Sequence, residues 1–274
     1  MSITAVIPAA GFGTRFLPFT KAVPKEMVPL FNKPAIHYIA QEIYASALKK
    51  CIIITSSYKH AIENYFSSNL LLEEFLNKKN KLSLIADIEN LRHSLSFNYI
   101  IQEQALGLGH AVGLAQSFIT QDYFAVLLPD DIIFGNKPGI AQLIEIAQQE
   151  QATVIAIQEV AAEHLSSYGV IGVDKQYSSR LFQVKSVIEK PTRAQAPSSY
   201  AIIGRYVLPS HIFKVLATLK PRSNGEIQLT DALSLLIQSG HKVLAYLIEG
   251  TRYDVGTPDG WFQANYNLFT TLNT

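Results

Sequence analysis

At 274 residues, with 48% hydrophobic and 16% charged side chains, the chain can bury one sizeable core and is not an intrinsically disordered sequence. Lys plus Arg number 23 against 22 for Asp plus Glu. That near balance excludes the basic footprint of a nucleic-acid-binding protein and leaves a small-molecule site built from a few placed cations and amides.

Ile3 to Ile7 is the first expected strand, and its apolar run ends at Pro8 without a basic flank, so no signal peptide is expected. A long loop follows through Gly11, Gly13, Pro18 and Pro24. Asn32-Lys33-Pro34 predicts a helix N-cap with proline in the first turn. Behind it Ile36, Ile39, Ala40, Ile43, Tyr44 and Ala47 repeat at helical spacing. Cys51 to Thr55 reads as a buried strand, which makes the lone Cys51 an unreactive core residue. Helical patterns continue to about Arg92, and Ser67 to Arg92 reads as an insertion at one side. Phe97 to Ile101 and Phe124 to Leu128 are further strands, separated by a helix near His110. Ala141 to Gln149 reads as a helix and Ala152 to Gln158 as a strand. Tyr168 to Val173, Leu181 to Lys190 and Tyr200 to Val207 look like longer, partly antiparallel strands, followed by helices near 210, 228 and 262.

Alternating apolar strands and helices predict an α/β fold: a Rossmann-like, mostly parallel mixed sheet flanked by helices, in one domain. No stretch approaches the roughly 18 apolar residues of a membrane span, and a cytoplasmic protein is expected. Ligands of such sheets bind beyond the carboxyl ends of the strands, which selects the loops Ala9 to Thr20 and Pro129 to Ile132.

Ala9-Ala10-Gly11-Phe12-Gly13-Thr14-Arg15-Phe16 combines two glycines, successive amides able to form an anion-binding concavity, and a cation. A tight turn with solvent-facing charges is the alternative. Phe16 stands where a dinucleotide-binding loop needs its third glycine, and Pro18 and Pro24 delay any helix, which argues against a dehydrogenase. Asp130 stands at the carboxyl end of a buried strand, as a metal ligand would; capping a turn is its alternative role. Glu189-Lys190, read alone, fits a routine charge pair at a strand end. His110 lacks a nearby Ser, Cys or carboxylate that would complete a catalytic triad, and a structural role is expected for it.

The first loop through Leu17-Pro18, with Thr20-Lys21 and Pro24-Lys25-Glu26-Met27, resembles the bacterial UTP–glucose-1-phosphate uridylyltransferases. The likeness continues in order through Gln102 with Gly107-Leu108-Gly109-His110-Ala111, Leu128-Pro129-Asp130-Asp131 and Tyr168-Gly169-Val170-Ile171. It ends with Glu189-Lys190-Pro191, Gly204-Arg205-Tyr206, Glu226 to Ala232 and Tyr253-Asp254-Val255-Gly256. Related thymidylyltransferases share the Gly-x-Gly-Thr-Arg core, but Ala9-Ala10 and Pro24-Lys25-Glu26-Met27 favour the uridylyl group. Asn32 and Val255 depart from the family's usual Asp and Cys, away from the expected chemistry.

The resemblance implies transfer of a uridylyl group from UTP to glucose 1-phosphate with Mg²⁺, in a homodimer or homotetramer. It assigns Arg15 and Lys25 to catalysis, and Ala10, Gly11, Gly13, Thr14, Glu26, Gln102 and Gly107 to the nucleotide. Gly169, Glu189, Lys190 and Gly204 fall to the sugar phosphate, and Asp130 and Asp254 to the metal, with Asp131 the weaker metal candidate. Residues to about 150 then form the nucleotide-binding part, and about 151–274 a smaller sugar-binding β region with the C-terminal helices. The rival readings are a thymidylyltransferase of this fold and a non-catalytic paralogue, the second disfavoured by the joint presence of Arg15, Lys25, Asp130 and Asp254.

Overall fold

The computed structural model describes residues 3–272. Strand β1 (Thr4–Pro8) runs into the glycine loop, and β2 (Pro29–Leu30) and β3 (Lys33–Pro34) form a small hairpin before helix α1 (Ala35–Ala45). Asn32 is therefore a turn residue. Pro34 occupies the N-cap position of α1 with no side-chain cap, which corrects the expected Asn32 cap. Next come β4 (Lys50–Thr55), α2 (His60–Phe66), α3 (Leu70–Lys78), α4 (Ala86–Ser94), β5 (Ser96–Ile101), α5 (Gly107–Gly113) and β6 (Tyr123–Leu127). Then follow β7 (Asp131–Phe134), α6 (Gly139–Glu150), β8 (Thr153–Glu159), β9 (Gly169–Gln176), β10 (Leu181–Glu189) and β11 (Tyr200–Pro209). The chain closes with α7 (Ile212–Leu216), α8 (Leu229–Gln238), β12 (Val243–Leu247), β13 (Thr251–Asp254) and α9 (Pro258–Leu272).

Nine strands form one sheet in the order β5-β4-β1-β6-β11-β8-β12-β10-β9, and β9 also pairs with β11. The first four are mutually parallel, as is the β8–β12 pair. β11 is antiparallel to β6, β8 and β9, and β10 is antiparallel to β12 and β9. The expected mixed sheet with a partly antiparallel second half is present, and only its mostly parallel weighting is corrected. Its second half is largely antiparallel, and five strands curl into a closed ring through the β9–β11 pairing. An apolar run such as Tyr200–Pro209 reports burial on both faces, whatever the direction of its neighbours.

Side-chain alternation along the strands divides the core. Ala5, Ile7, Cys51, Ile53, Ala125 and Leu127 pack with Ile36, Ile39 and Ile43 of α1 and Leu143 of α6. Val6, Ile52, Ile54, Phe124 and Val126 pack on the other face with Ala111 and Val112 of α5 and Leu233 and Leu236 of α8. Phe124 stacks on Phe213 at a centroid distance of 4.9 Å. Each such Val, Ile, Leu or Phe side chain, fully buried, contributes about 1.5–3 kcal/mol. Both faces being covered, the free rim is the carboxyl end of the parallel strands. There lie the loops after β1, β4, β5 and β6. Among the described residues no helix is long and apolar enough to cross a membrane.

Candidate active site

Four chain connections converge on that rim. β11 runs antiparallel to β6, so Gly204 and Arg205 lie beside Leu127 and Leu128, and the Leu128 amide donates to the Gly204 carbonyl at 2.8 Å. The turn Leu128–Asp130 leads directly into β7, and β13 pairs antiparallel with it, placing Asp254 opposite Asp131. The Val255 amide donates to the Asp130 carbonyl at 2.8 Å. Residues more than 120 positions apart thereby share one cavity of about 790 Å³, lined by Arg15, Asp130, Gly169, Glu189, Lys190, Gly204 and Asp254.

Lys25 reaches into this group from the short 3₁₀ turn Lys25–Met27, its Nζ 2.5 Å from Asp130 Oδ2. Burial opposes the Lys25 charge, but the Asp130 and Glu26 carboxylates outweigh it and hold the ammonium pKa above its usual value. Burial likewise opposes ionisation of Asp130, and Lys25 outweighs it, so this carboxyl is held below the ordinary range.

Two close approaches require glycine. A Cβ on Gly204 would stand 2.6 Å from Leu128 Cβ and 2.7 Å from Asp131 Oδ2. A Cβ on Gly256 would stand 2.9 Å from Asp130 Oδ2 and 3.1 Å from Asp254 Oδ1. Carboxylate oxygens of Asp130 and Asp254 therefore flank one small cradle. Among the described residues, no group of three or more His, Cys, Asp and Glu side chains is arranged to hold a metal by itself. Two carboxylates facing an open cavity suit Mg²⁺, which completes its octahedron with phosphate oxygens and water.

Asp131, the weaker metal candidate by sequence, is engaged within the protein. It is buried, accepts the Gly204 amide at 2.6 Å, and accepts Arg252 Nε at 2.5 Å. Burial and the neighbouring charges of Asp130 and Asp254 raise its pKa, against the attraction of Arg252. Arg252 also lies 3.6 Å from Asp254, donates to the Tyr168 hydroxyl at 3.3 Å and sits over the Tyr168 ring. Behind this layer the fully buried Arg205 pairs with Glu42 of α1 and donates to the carbonyls of Leu128 and Asp131, on either side of Asp130.

On the far side of the cavity the Glu189 carboxylate accepts the Thr230 hydroxyl at 2.9 Å. The Lys190 amide donates to the Tyr168 carbonyl at 2.9 Å, with a left-handed backbone (φ 49°) that few non-glycine residues adopt. Its ammonium, half-exposed, is 3.9 Å from Glu189.

The remaining sequence-selected residues lie along the adjoining rim. Gly11 and Thr14 are exposed, Gly13 is half-buried and Ala10 is buried. Gln102, also buried, pairs through Nε2 with His110 Nδ1 at 2.7 Å and lies 3.5 Å from the Gly107 carbonyl. Glu26 is 1% exposed, and both its carboxylate oxygens accept from Lys59 Nζ at 3.0 and 2.9 Å. Burial pushes the Glu26 carboxyl up and the Lys59 ammonium down, against their mutual attraction. Lys59, Glu42 and Arg252 were not singled out from the sequence. Arg252 adjoins a recognised motif, whereas Lys59 and Glu42 stand alone and carry no local signal.

An α/β rim that gathers Arg15 of the glycine loop, Lys25, Lys190 and Arg252 with the carboxylates of Asp130, Asp131, Glu189 and Asp254 suits a phosphoryl-handling transferase site. The chain belongs to the nucleotidyl transferase family, whose model matches residues 4–271. It is 42% identical over 274 residues to a UTP–glucose-1-phosphate uridylyltransferase of Mycoplasma pneumoniae, an alignment spanning 98% of this chain and 92% of that protein. Its fold is similar to a UDP-glucose pyrophosphorylase complexed with UDP-glucose (TM-score 0.91, 37% identity, 99% of this chain and 100% of the other). It is also similar to a UTP-bound enzyme of that kind from Acinetobacter baumannii (TM-score 0.90, 37% identity, 98% and 93% covered).

Proposed function

We propose that this nucleotidyltransferase joins UTP to glucose 1-phosphate, giving UDP-glucose and pyrophosphate. The observation that carries the reading is the meeting of Asp130 and Asp254 across Gly256, in one cavity with Arg15, Glu189 and Lys190. The names of the similar proteins supply the substrates. In the reaction an ionised oxygen of glucose 1-phosphate bonds to the α-phosphorus of UTP. The bond from that phosphorus to the oxygen bridging towards the β-phosphate breaks, and pyrophosphate leaves with the electron pair. The attacking oxygen is already ionised, so no general base is needed and positioning and charge neutralisation carry catalysis.

Arg15 offers a planar fork to the triphosphate, and Lys25 a point charge for the departing pyrophosphate. Lys190 holds the sugar phosphate, Glu189 accepts from sugar hydroxyls, and Gly169 and Gly204 leave room for the sugar. Gln102 pairs with the uracil edge, beside backbone groups of Ala10, Gly11, Gly13, Thr14 and Gly107. With its carboxylate held by Lys59, Glu26 contributes to nucleotide binding by fixing the turn that carries Lys25. Asp130 and Asp254 would hold Mg²⁺, which when bound neutralises phosphate charge and draws the phosphates into line. Residues to about 150 serve the nucleotide, and the later β region the sugar. Exposed Leu71 and Phe75 on α3 and Phe262 and Tyr266 on α9 offer apolar surface for a cytoplasmic homodimer or homotetramer.

Pyrophosphate release measured over four nucleoside triphosphates and several sugar 1-phosphates tests the assignment. UTP should be favoured over ATP and CTP, because a pocket matched to one base edge leaves polar groups unpaired with another; dTTP, sharing uracil's hydrogen-bonding edge, should be rejected less. Turnover with ATP equal to that with UTP would remove Gln102 from its assigned role. A second expectation separates the substrates. Lys190→Ala should raise KM for glucose 1-phosphate much more than for UTP, while Lys25→Ala should mainly lower kcat, since its charge is matched to the leaving group. Equal effects of both changes on both Michaelis constants would refute this division.

A further inference from the structure

Lys59, immediately before α2 and 2% exposed, touches neither substrate in the chemistry described above and enters it only as the partner of Glu26. Its ammonium meets four oxygens: the carbonyls of Ala9 at 2.7 Å and Gly11 at 2.6 Å, and both carboxylate oxygens of Glu26. Two of these acceptors belong to the glycine loop, and the other two to the turn that presents Lys25 to Asp130.

Peptide planarity gives those contacts a consequence. In a trans peptide the carbonyl and the following amide point in opposite directions. With the Ala9 and Gly11 carbonyls drawn to Lys59, the amides of Ala10 and Phe12 point away from it. Thr20 acts in the same sense, its hydroxyl donating to the Gly13 carbonyl at 2.8 Å and so turning the Thr14 amide outwards. Among the described residues no acceptor takes the amides of Ala10, Gly11, Phe12 or Gly13. Unclaimed amides presented on one side of a loop, as those of Ala10 and Phe12 are, can hold an anion. A loop of this composition would otherwise sample many peptide orientations.

We infer that Lys59 is a positioning residue that holds the Ala9 and Gly11 carbonyls inward and so turns the Ala10 and Phe12 amides to the nucleotide. Glu26 is the counter-charge that keeps the lysine in place, and through Glu26 the same ammonium fixes the turn carrying Lys25. This role rests on the proposed function only for the identity of the nucleotide. The selectivity of the defect is its mark: losing Lys59 should harm the nucleoside triphosphate and spare the sugar phosphate, which is assigned to Gly169, Glu189, Lys190 and Gly204 in the cavity.

The test compares wild type, Lys59→Met and Lys59→Met/Glu26→Gln for Tm, kcat and both Michaelis constants. Lys59→Met leaves Glu26 buried without a partner and should lower Tm. The double change removes the stranded charge and should recover most of that loss. KM for UTP should nevertheless stay raised about tenfold or more in both, as expected from freeing two charge-assisted hydrogen bonds. KM for glucose 1-phosphate should change by less than about twofold, as a contact assigned to the other substrate allows. Recovery of both Tm and the UTP KM in the double variant would reduce Lys59 to a structural residue and overturn the inference. A parallel rise of both Michaelis constants would overturn it equally. Should methionine prevent folding, Lys59→Gln, which keeps a donor and loses the charge, is read on the same ratio. Wild-type turnover with UTP tests the proposed function separately. The variant-to-wild-type ratio, taken with whichever nucleoside triphosphate the wild type uses, tests Lys59.

Discussion

Asp130→Asn is expected to lower kcat by at least about a hundredfold, the scale seen when one preorganised electrostatic group is removed from an active site. The substitution keeps shape and hydrogen bonding and deletes one of the two negative charges that flank the Gly256 cradle. It also removes the charge that pairs with Lys25 at 2.5 Å, so the cation assigned to the leaving group is held by a weaker, uncharged contact. Asp254→Asn should behave alike, and the double change should cost far less than the product of the singles, because in the proposed reading both carboxylates would serve one ion. Stability should change little: Lys25 loses an ion pair while Asp131 loses a repelling neighbour. The check is kcat measured across a Mg²⁺ titration, with Tm recorded for each variant. Near-normal activity of the Asp130 variant, still dependent on Mg²⁺, would place the metal elsewhere.

The rim that carries these groups was legible in part. Runs such as Ala5-Val6-Ile7 and Ile52-Ile53-Ile54 announce buried parallel strands, and the position after each then marks the rim, which is how Arg15 and Asp130 stand out. The strands at Tyr168 to Val173, Leu181 to Lys190 and Tyr200 to Val207 were legible as partly antiparallel, as they are; the extent of antiparallel pairing was not, because period and apolarity report which faces are covered and say nothing about hydrogen-bond polarity. The β7–β13 pair escaped for another reason: Asp131–Phe134 is four residues long and starts at a Pro-Asp-Asp turn, so a loop is the natural reading. That omission hid the role of Asp131. A carboxylate that receives Gly204 N and Arg252 is holding β11 and β13 in place beside Asp130. Lys59 and Glu42 were invisible because the carbonyls and cations they meet are contributed by distant segments. Their charges look solvated in sequence and are buried only after the fold has formed.

Glu42→Ala should be the most destabilising single change, by about 3–5 kcal/mol, because it leaves a buried guanidinium uncompensated. The Glu42 and Arg205 side chains are 7% and 0% exposed, and two parallel contacts of 2.9 and 2.7 Å join them, the bidentate geometry that suits arginine best. Glu42 also accepts the Ile140 amide at 2.7 Å, so the first turn of α6 loses an acceptor with the same substitution. For a chain of this length the loss should appear as a fall in Tm on the order of 10 °C, with a matching shift of the urea midpoint. Glu42→Leu/Arg205→Met should regain much of that stability, since an apolar pair of similar volume avoids desolvating two charges. Activity should not return with it. Arg205 donates to the carbonyls of Leu128 at 3.2 Å and Asp131 at 2.8 Å, and these bracket the peptide units that present Asp130 to the cavity. Without the guanidinium the turn keeps its sequence and loses its anchor, so kcat should fall while the melting curve recovers. A urea midpoint for Glu42→Ala equal to that of the wild type would mean the pair is neutral in the fold. Full activity in the double variant would mean that the β6–β7 turn holds Asp130 without Arg205.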